Sequence, residues 1–322
     1  MIILIQSPHY KYRKGVEPMD YQQFKETVVE GLKDIYPDAT VSLASVKKNN
    51  GIELDGVVIR ERGQNISPNI YLQDWFSMVA SGDDIDDVIN RISRCYEEHK
   101  VASVADDFIS SISDYSAVSN RIYSILINAE KNQELLNECP HRKMLDLAIV
   151  YRINVEMFDG TVGSILIRNE IMKMWKVTEQ DIYAAAKNNK KSLFEPTIQN
   201  INEVLIEMMH GRGCSDSELM DAIYNFDIEN HMLVVTNRYK TNGAGVIFLD
   251  EEVQRNVSDI MGGDFVIIPS SIHETICTDM CDIDTIKDMV QDVNSTQVSA
   301  EEVLSDSVYF YNSEEKEIQI AN

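Results

Sequence analysis

Two Asn-Gly pairs, Asn50-Gly51 and Asn242-Gly243, each sit between runs rich in apolar residues. Such pairs adopt the left-handed backbone angles that two-residue hairpin turns demand, so each predicts two antiparallel strands closed by a short turn. Asp159-Gly160 offers a third turn after "MLDLAIVYRINVEMF", the longest strand-like run, and "VYFYNSEEKEIQI" reads as a closing hairpin. Amphipathic helices separate these signals. Tyr21, Phe24, Val28, Leu32 and Ile35 recur at three- and four-residue steps before Pro37, and Ile85, Val88, Ile89, Ile92 and Tyr96 mark a second apolar stripe. The order lacks the regular strand–helix alternation of a doubly wound sheet. The expected class is therefore α+β, mixed, with largely antiparallel sheets in two or three subdomains.

Shorter signals refine this frame. Ser67 as cap and Pro68 at the first helical position predict a helix starting in "ISPNIYLQDWF". "RIYSILINA" reads as a strand, "EKNQELL" as a short helix, and "IQNINEVLIEMM" as a longer one. Thr178 and Asp181, and again Ser299 and Glu302, have capping-box spacing. Asp250 caps a helix over Val253, Val257, Ile260 and Met261 that Gly262-Gly263 ends; another carries Ile283, Ile286, Met289, Val290 and Val293. "HGRGCSDSE" marks a boundary. The expected layout is a loose extension over 1–18, with Met19 a plausible start, an α+β domain over 19–115, a middle α+β region over 116–213 and an acidic α+β region over 214–322.

Charge is the strongest global bias. The formal net charge is −24, and from Cys214 onward 22 acidic residues face 5 basic ones. A surface of that sign repels phosphate backbones, which argues against direct nucleic-acid binding, and it favours basic protein partners. The five cysteines, Cys95, Cys139, Cys214, Cys277 and Cys281, are odd in number and scattered, which fits a reducing cytoplasm rather than a disulfide framework. No apolar run approaches the ~20 residues of a membrane helix. The short apolar start "MIILIQSPHY" does not make a secretory leader.

The candidate site is "DFVIIPSSIHETI", which crowds Ser270, Ser271, His273 and Glu274 together. On an extended strand Ser271 and His273 share one face while Ser270 and Glu274 take the other. A Ser–His pair is the start of an activated nucleophile, but it needs an orienting acid and an oxyanion hole, and no G-x-S-x-G elbow is present. Proline followed by two serines is also ordinary turn chemistry between buried strands, and that is the expectation here. Cys95 with His99, Cys139 with His141, His210 with Cys214, and Cys277 with Cys281 are isolated pairs, so neither a metal nor a cofactor site is expected. "TNGAGV" has no phosphate-loop spacing. Asp83, Asp84, Asp86 and Asp87 suit a helix amino terminus better than a calcium loop. Lys47 and Lys48 read as a solvated turn.

Several stretches carry a resemblance: "SLASVKKNNGIELDGVVIR", "SPNIYLQDW", "IYSILINAEKNQELL" with "PHRKMLDLAIVYRI", "LIRNEIMKMW", "FVIIPSSIHE" and "VNSTQVSAEEVLSDSVYFY". From about Met19 onward the chain resembles an uncharacterised domain-of-unknown-function family of clostridial gut bacteria. The resemblance implies a bacterial cytosolic protein and a start near Met19. It also marks Pro269 to Glu274 as a shared segment, and it brings no activity, cofactor or catalytic residue. The leading functional expectation is a protein-interaction module using the acidic last third. The alternative is a hydrolase or small-molecule-binding enzyme around Ser271, His273 and Glu274, and a third reading is a nucleic-acid mimic.

Overall fold

The computed structural model describes residues 19–63, 67–100, 111–156, 162–211, 232–279 and 282–321 of the chain. Asp159-Gly160, Cys214, Cys281 and the extension over 1–18 lie outside them. The fold is α+β, and the chain divides into two compact units, one from residues 2–113 with 156–162 and the other from 114–155 and 163–322.

In the first unit α1 (Tyr21–Ile35) forms on the expected stripe, and a full capping box starts it. The Asp20 carboxylate accepts from the Gln23 amide at 2.8 Å while the Gln23 side chain accepts from Asp20 N at 3.1 Å. Strand β1 (Thr40–Lys47) pairs antiparallel with β2 (Glu53–Arg60), from Thr40 opposite Arg60 to Lys47 opposite Glu53. Asn50 takes the left-handed turn position at φ 60°. The expected helix start at Ser67 is instead a strand. Ser67 Oγ donates to the Ile59 carbonyl, Pro68 leads into β3 (Asn69–Tyr71), which pairs with β2, and α2 (Gln73–Ala80) begins only afterwards. Proline's extended preference suits a short edge strand as well as a first helical turn. Helix α3 (Ile85–His99) starts on Asp84, whose carboxylate accepts from the Asp86 and Asp87 amides, so that acidic run caps a helix. Phe24, Val28 and Leu32 of α1 and Val88, Ile92 and Tyr96 of α3 close over Val57 and Ile59 of β2.

The second unit opens with the single turn α4 (Tyr115–Val118) and β4 (Ile122–Asn128), followed by α5 (Gln133–Glu138). The run beginning at Met144, read as one long strand, is broken at its second residue. Strand β5 (His141–Met144) turns at Leu145, which has φ 57°, into β6 (Leu147–Glu156). No glycine announces this turn. Asp146 holds it: its carboxylate accepts from Tyr309 and Ser305 hydroxyls at 2.7 Å each, and its carbonyl from Ala129 N at 3.0 Å. Strands β4 and β5 both pair with β6, as does β7 (Val162–Leu166). Then come α6 (Asn169–Trp175) and α7 (Glu179–Leu193), whose Thr178–Asp181 capping box forms as spaced.

A six-stranded antiparallel sheet completes the unit. It contains β8 (Pro196–Asn200), β9 (Met232–Asn237), β10 (Phe265–Pro269), β11 (Thr275–Thr278), β12 (Tyr309–Asn312) and β13 (Glu317–Ile320), in the order β13-β12-β10-β11-β9-β8. Ile198 to Asn200, read as the start of a helix, belong to β8; helix α8 (Ile201–Gly211) follows. The hairpin expected at Asn242-Gly243 does not form. Strand β9 pairs with β8 and β11, and "GVIFL" folds as α9 (Gly245–Leu249) before α10 (Glu251–Met261), which Asp250 caps and Gly262 ends at φ 80°. Ile260, assigned to the core stripe of α10, is exposed. Helix α11 (Ile283–Thr296) packs Ile286 and Val290 on Val266 and Ile268 of β10. Ser299 and Glu302 make a turn, Glu302 N donating to Ser299 O, and no helix follows.

Candidate functional site

The segment Pro269 to Glu274 is the tight connection between β10 and β11, whose register closes with Pro269 opposite Thr275. Both serine amides, Ser270 N and Ser271 N, donate to the Glu274 carbonyl at 3.2 and 3.3 Å. Ser271 Oγ accepts from His273 N at 3.0 Å, and Ser270 Oγ donates to Glu274 Oε1 at 3.4 Å. The backbone folds back here instead of continuing extended, so the alternation of faces expected for a strand does not apply. Serine and carboxylate serve the turn itself.

His273 bridges two distant segments. Its Nδ1 accepts the Asn242 N–H at 3.1 Å, and its Nε2 lies 3.3 Å from Glu302 Oε1. An accepting Nδ1 leaves the ring proton on Nε2, donated to the Glu302 carboxylate. Both nitrogens are thus engaged, and among the described residues no hydrogen bond joins the ring to the Ser271 hydroxyl. The geometry brings His273 to Glu302 and Asn242, not to Ser271 or Glu274. Two expectations follow. Nitrogen NMR of the native chain near neutral pH shows His273 as the Nε2–H tautomer. His273→Ala, which frees the Asn242 amide and the Glu302 carboxylate, lowers stability by about 1–2 kcal/mol in urea melts.

The same turn carries backbone acceptors. The His273 carbonyl accepts from Gly243 N at 3.0 Å and from Thr236 Oγ1 at 2.7 Å, the Ile272 carbonyl accepts from Ala244 N at 3.2 Å, and Ile272 N donates to Glu302 O at 2.8 Å. Buried Asn237 holds the other end of this segment, its side chain bonding Thr241 O at 2.8 Å and Tyr239 N at 3.0 Å. Lys240 and Asn242 sit at φ 52° and 51°. Residues 270–274 therefore act as a buttress that fixes the shape of residues 236–245. Sequence reading missed Asn242 and Glu302 as partners of His273, because the first read as a hairpin turn and the second as a helix cap.

Asn237, Asn242 and Gly245 of the buttressed segment also line a pocket of about 80 Å³. Its other walls come from β4, α7, the start of β8, and α9. None of Ser271, His273 and Glu274 lines it.

The acidic last third presents helix α11. Its inward face is Ile286 and Val290, while Asp284, Asp288 and Asp292 run down the outward face one turn apart. On the shoulder of that acidic row Met289 and Val293 stand 49% and 37% exposed. Lys287 is the one basic residue of the helix.

Among the described residues no cluster of three or more His, Cys, Asp or Glu could hold a metal ion, and no helix is long and apolar enough to cross a membrane. Cys95 lies 3.8 Å from His99 Nδ1, which already meets the Cys95 carbonyl at 2.8 Å; His141 meets the Cys139 carbonyl at 3.0 Å. Burial pushes the Cys139 thiol up to about 11, and it raises buried Cys277 further. Raising a thiol leaves less thiolate, roughly a hundredfold less for Cys139 at neutral pH. Iodoacetamide at pH 7 is expected to leave both unlabelled in the native chain and to label them after denaturation. Labelling rises for Cys139 only as pH approaches its raised value.

The "PSSIHE" segment shapes a neighbouring loop through bonds made by its backbone as much as by its side chains. No curated protein and no solved structure matches the chain. The profile of a family of unknown function, DUF5688, matches residues 21–313, so the match takes in parts of both units and all of the described site. The chain belongs to that family.

Proposed function

We propose that this protein is a cytoplasmic interaction protein that docks a basic partner on the outward face of α11. The observation that carries it is the pairing of Met289 and Val293, exposed one turn apart, with the adjoining row Asp284, Asp288 and Asp292. Met289 and Val293 supply apolar area whose burial on docking is worth about 25 cal/mol per Å². The aspartates supply the sign: they steer a cationic partner and set its register, and they repel acidic competitors. The row spans about 12 Å of helix, the length of only three or four phosphates of one DNA strand, which favours a basic protein segment over the nucleic-acid-mimic reading. The hydrolase reading draws no support from His273, whose two ring nitrogens are spent on Asn242 and Glu302.

Affinity capture from a clostridial lysate at low ionic strength tests the proposal, with the unmodified chain beside an Asp284→Asn, Asp288→Asn, Asp292→Asn variant. The unmodified chain is expected to retain a basic protein in stoichiometric amount and release it as salt is raised. Exposed ion pairs are worth about 0.2–1 kcal/mol each, so loss of three should weaken binding by roughly three- to a hundredfold. Equal, salt-insensitive capture by both chains would contradict the proposal.

A further inference from the structure

The pocket beside the buttressed loop has a chemistry of its own, independent of α11. Tyr123 of β4 and Phe194 form its aromatic wall, with ring centroids 4.3 Å apart and planes inclined by 39°. Val246 and Leu249 of α9 face the same space. Polar groups enter at few points. Asn242 and Ser124 line the pocket, and among the described residues no hydrogen bond engages the side chain of either. Asn242 is held there in a left-handed conformation by its backbone bond to His273. A side-chain amide presents a donor and an acceptor side by side, the pattern that pairs with one edge of a heterocyclic base. Charge is balanced, since Lys187 and Asp250 both line the pocket and the Asp250 carboxylate also caps α10. About 80 Å³ of water-accessible room holds roughly three waters at their liquid volume, close to the body of one six-membered ring.

We infer that this pocket binds a small, neutral, single-ring heteroaromatic compound of the pyrimidine-nucleobase type. The ring lies against Tyr123 and Phe194, and its hydrogen-bonding edge pairs with the Asn242 amide. Aromatic contact supplies affinity and the amide supplies orientation, the usual division in small-ligand sites.

The test is binding of uracil and of dihydrouracil to the full chain, followed by calorimetry and by the shift in melting temperature that a native-state ligand produces. Dihydrouracil keeps the same hydrogen-bonding edge and loses the aromatic ring. Asn242→Gly removes the amide and tolerates the positive φ, so the loop keeps its shape, and the unliganded melting temperature checks that it does. Uracil is expected to bind at least tenfold more tightly than dihydrouracil, and Asn242→Gly to weaken uracil at least tenfold. No binding of uracil at millimolar concentration overturns the inference. So does equal affinity for the two compounds, and so does undiminished uracil binding by a folded Asn242→Gly chain.

Discussion

Gly243→Ala is expected to destabilise the second unit by about 3 kcal/mol, near the upper end of what overpacking a tight site costs. A Cβ at this position would stand 2.2 Å from Thr236 Oγ1, 2.7 Å from the His273 carbonyl oxygen and 2.8 Å from Asn237 N. Two of these three atoms are backbone, one from Asn237 at the end of β9 and one from His273 in the adjoining turn, so no side-chain rotation relieves the clash. The only escape is to push residues 236–245 away from the 270–274 turn, which breaks the Gly243–His273 and Ala244–Ile272 hydrogen bonds together. Gly56→Ala is the natural control. There the three atoms nearest a Cβ all belong to the Asn69 side chain, the closest at 2.0 Å, and that amide can turn away, so the expected cost is about 1 kcal/mol or less. Urea denaturation of both variants checks the contrast. A Gly243→Ala midpoint unchanged from the parent would mean that the turn and the loop are not rigidly joined.

Phe24→Ala is expected to lower the stability of the first unit by about 3–5 kcal/mol, the range for emptying a buried aromatic site. Phe24 is fully buried at the centre of the three-element core, and its ring lies 5.4 Å from Phe76 and 6.3 Å from Tyr21. The neighbours that would have to collapse into the void are anchored on different elements, Phe76 on α2 and Val57 on β2. Hydrogen exchange reads the effect directly. Amides of α1 and β2 should lose most of their protection, since the first unit is small and one or two such losses approach the whole stability of a domain. Full retention of protection in α1 would contradict the core assignment.

What the sequence made legible was local. Helix α1, the β1–β2 hairpin at Asn50, the Asp84 and Asp250 caps, and the turn after Pro269 each follow from residues within a few positions of one another. Failures cluster where tertiary partners override local pattern. Leu145 turns left-handed because Asp146 is gripped by Ser305 and Tyr309, 159 and 163 residues away. "GVIFL" has the look of a strand after an Asn-Gly turn, yet its edge partners are taken: β9 already lies between β8 and β11. Pro68 is compatible with two local structures, and pairing with β2 decides between them. The site shows the same division. That Pro269 to Glu274 is a turn could be read from its composition. That His273 reaches Asn242 and Glu302, 31 and 29 residues away, could not. The acidity of the last third was plain, but its arrangement as a row beside Met289 and Val293 required the helix to be placed.

If α11 is a docking face, site-specific photo-crosslinking from its outward side captures the partner. A photoreactive amino acid replaces Met289 in one chain and Glu315, an exposed residue at the tip of the β12–β13 turn, in another, and both are irradiated in lysate at low ionic strength. One discrete adduct with a basic protein is expected from position 289, lost at high salt, and little from position 315. Adducts of equal yield from both positions, or none from 289, would contradict a docking role for α11.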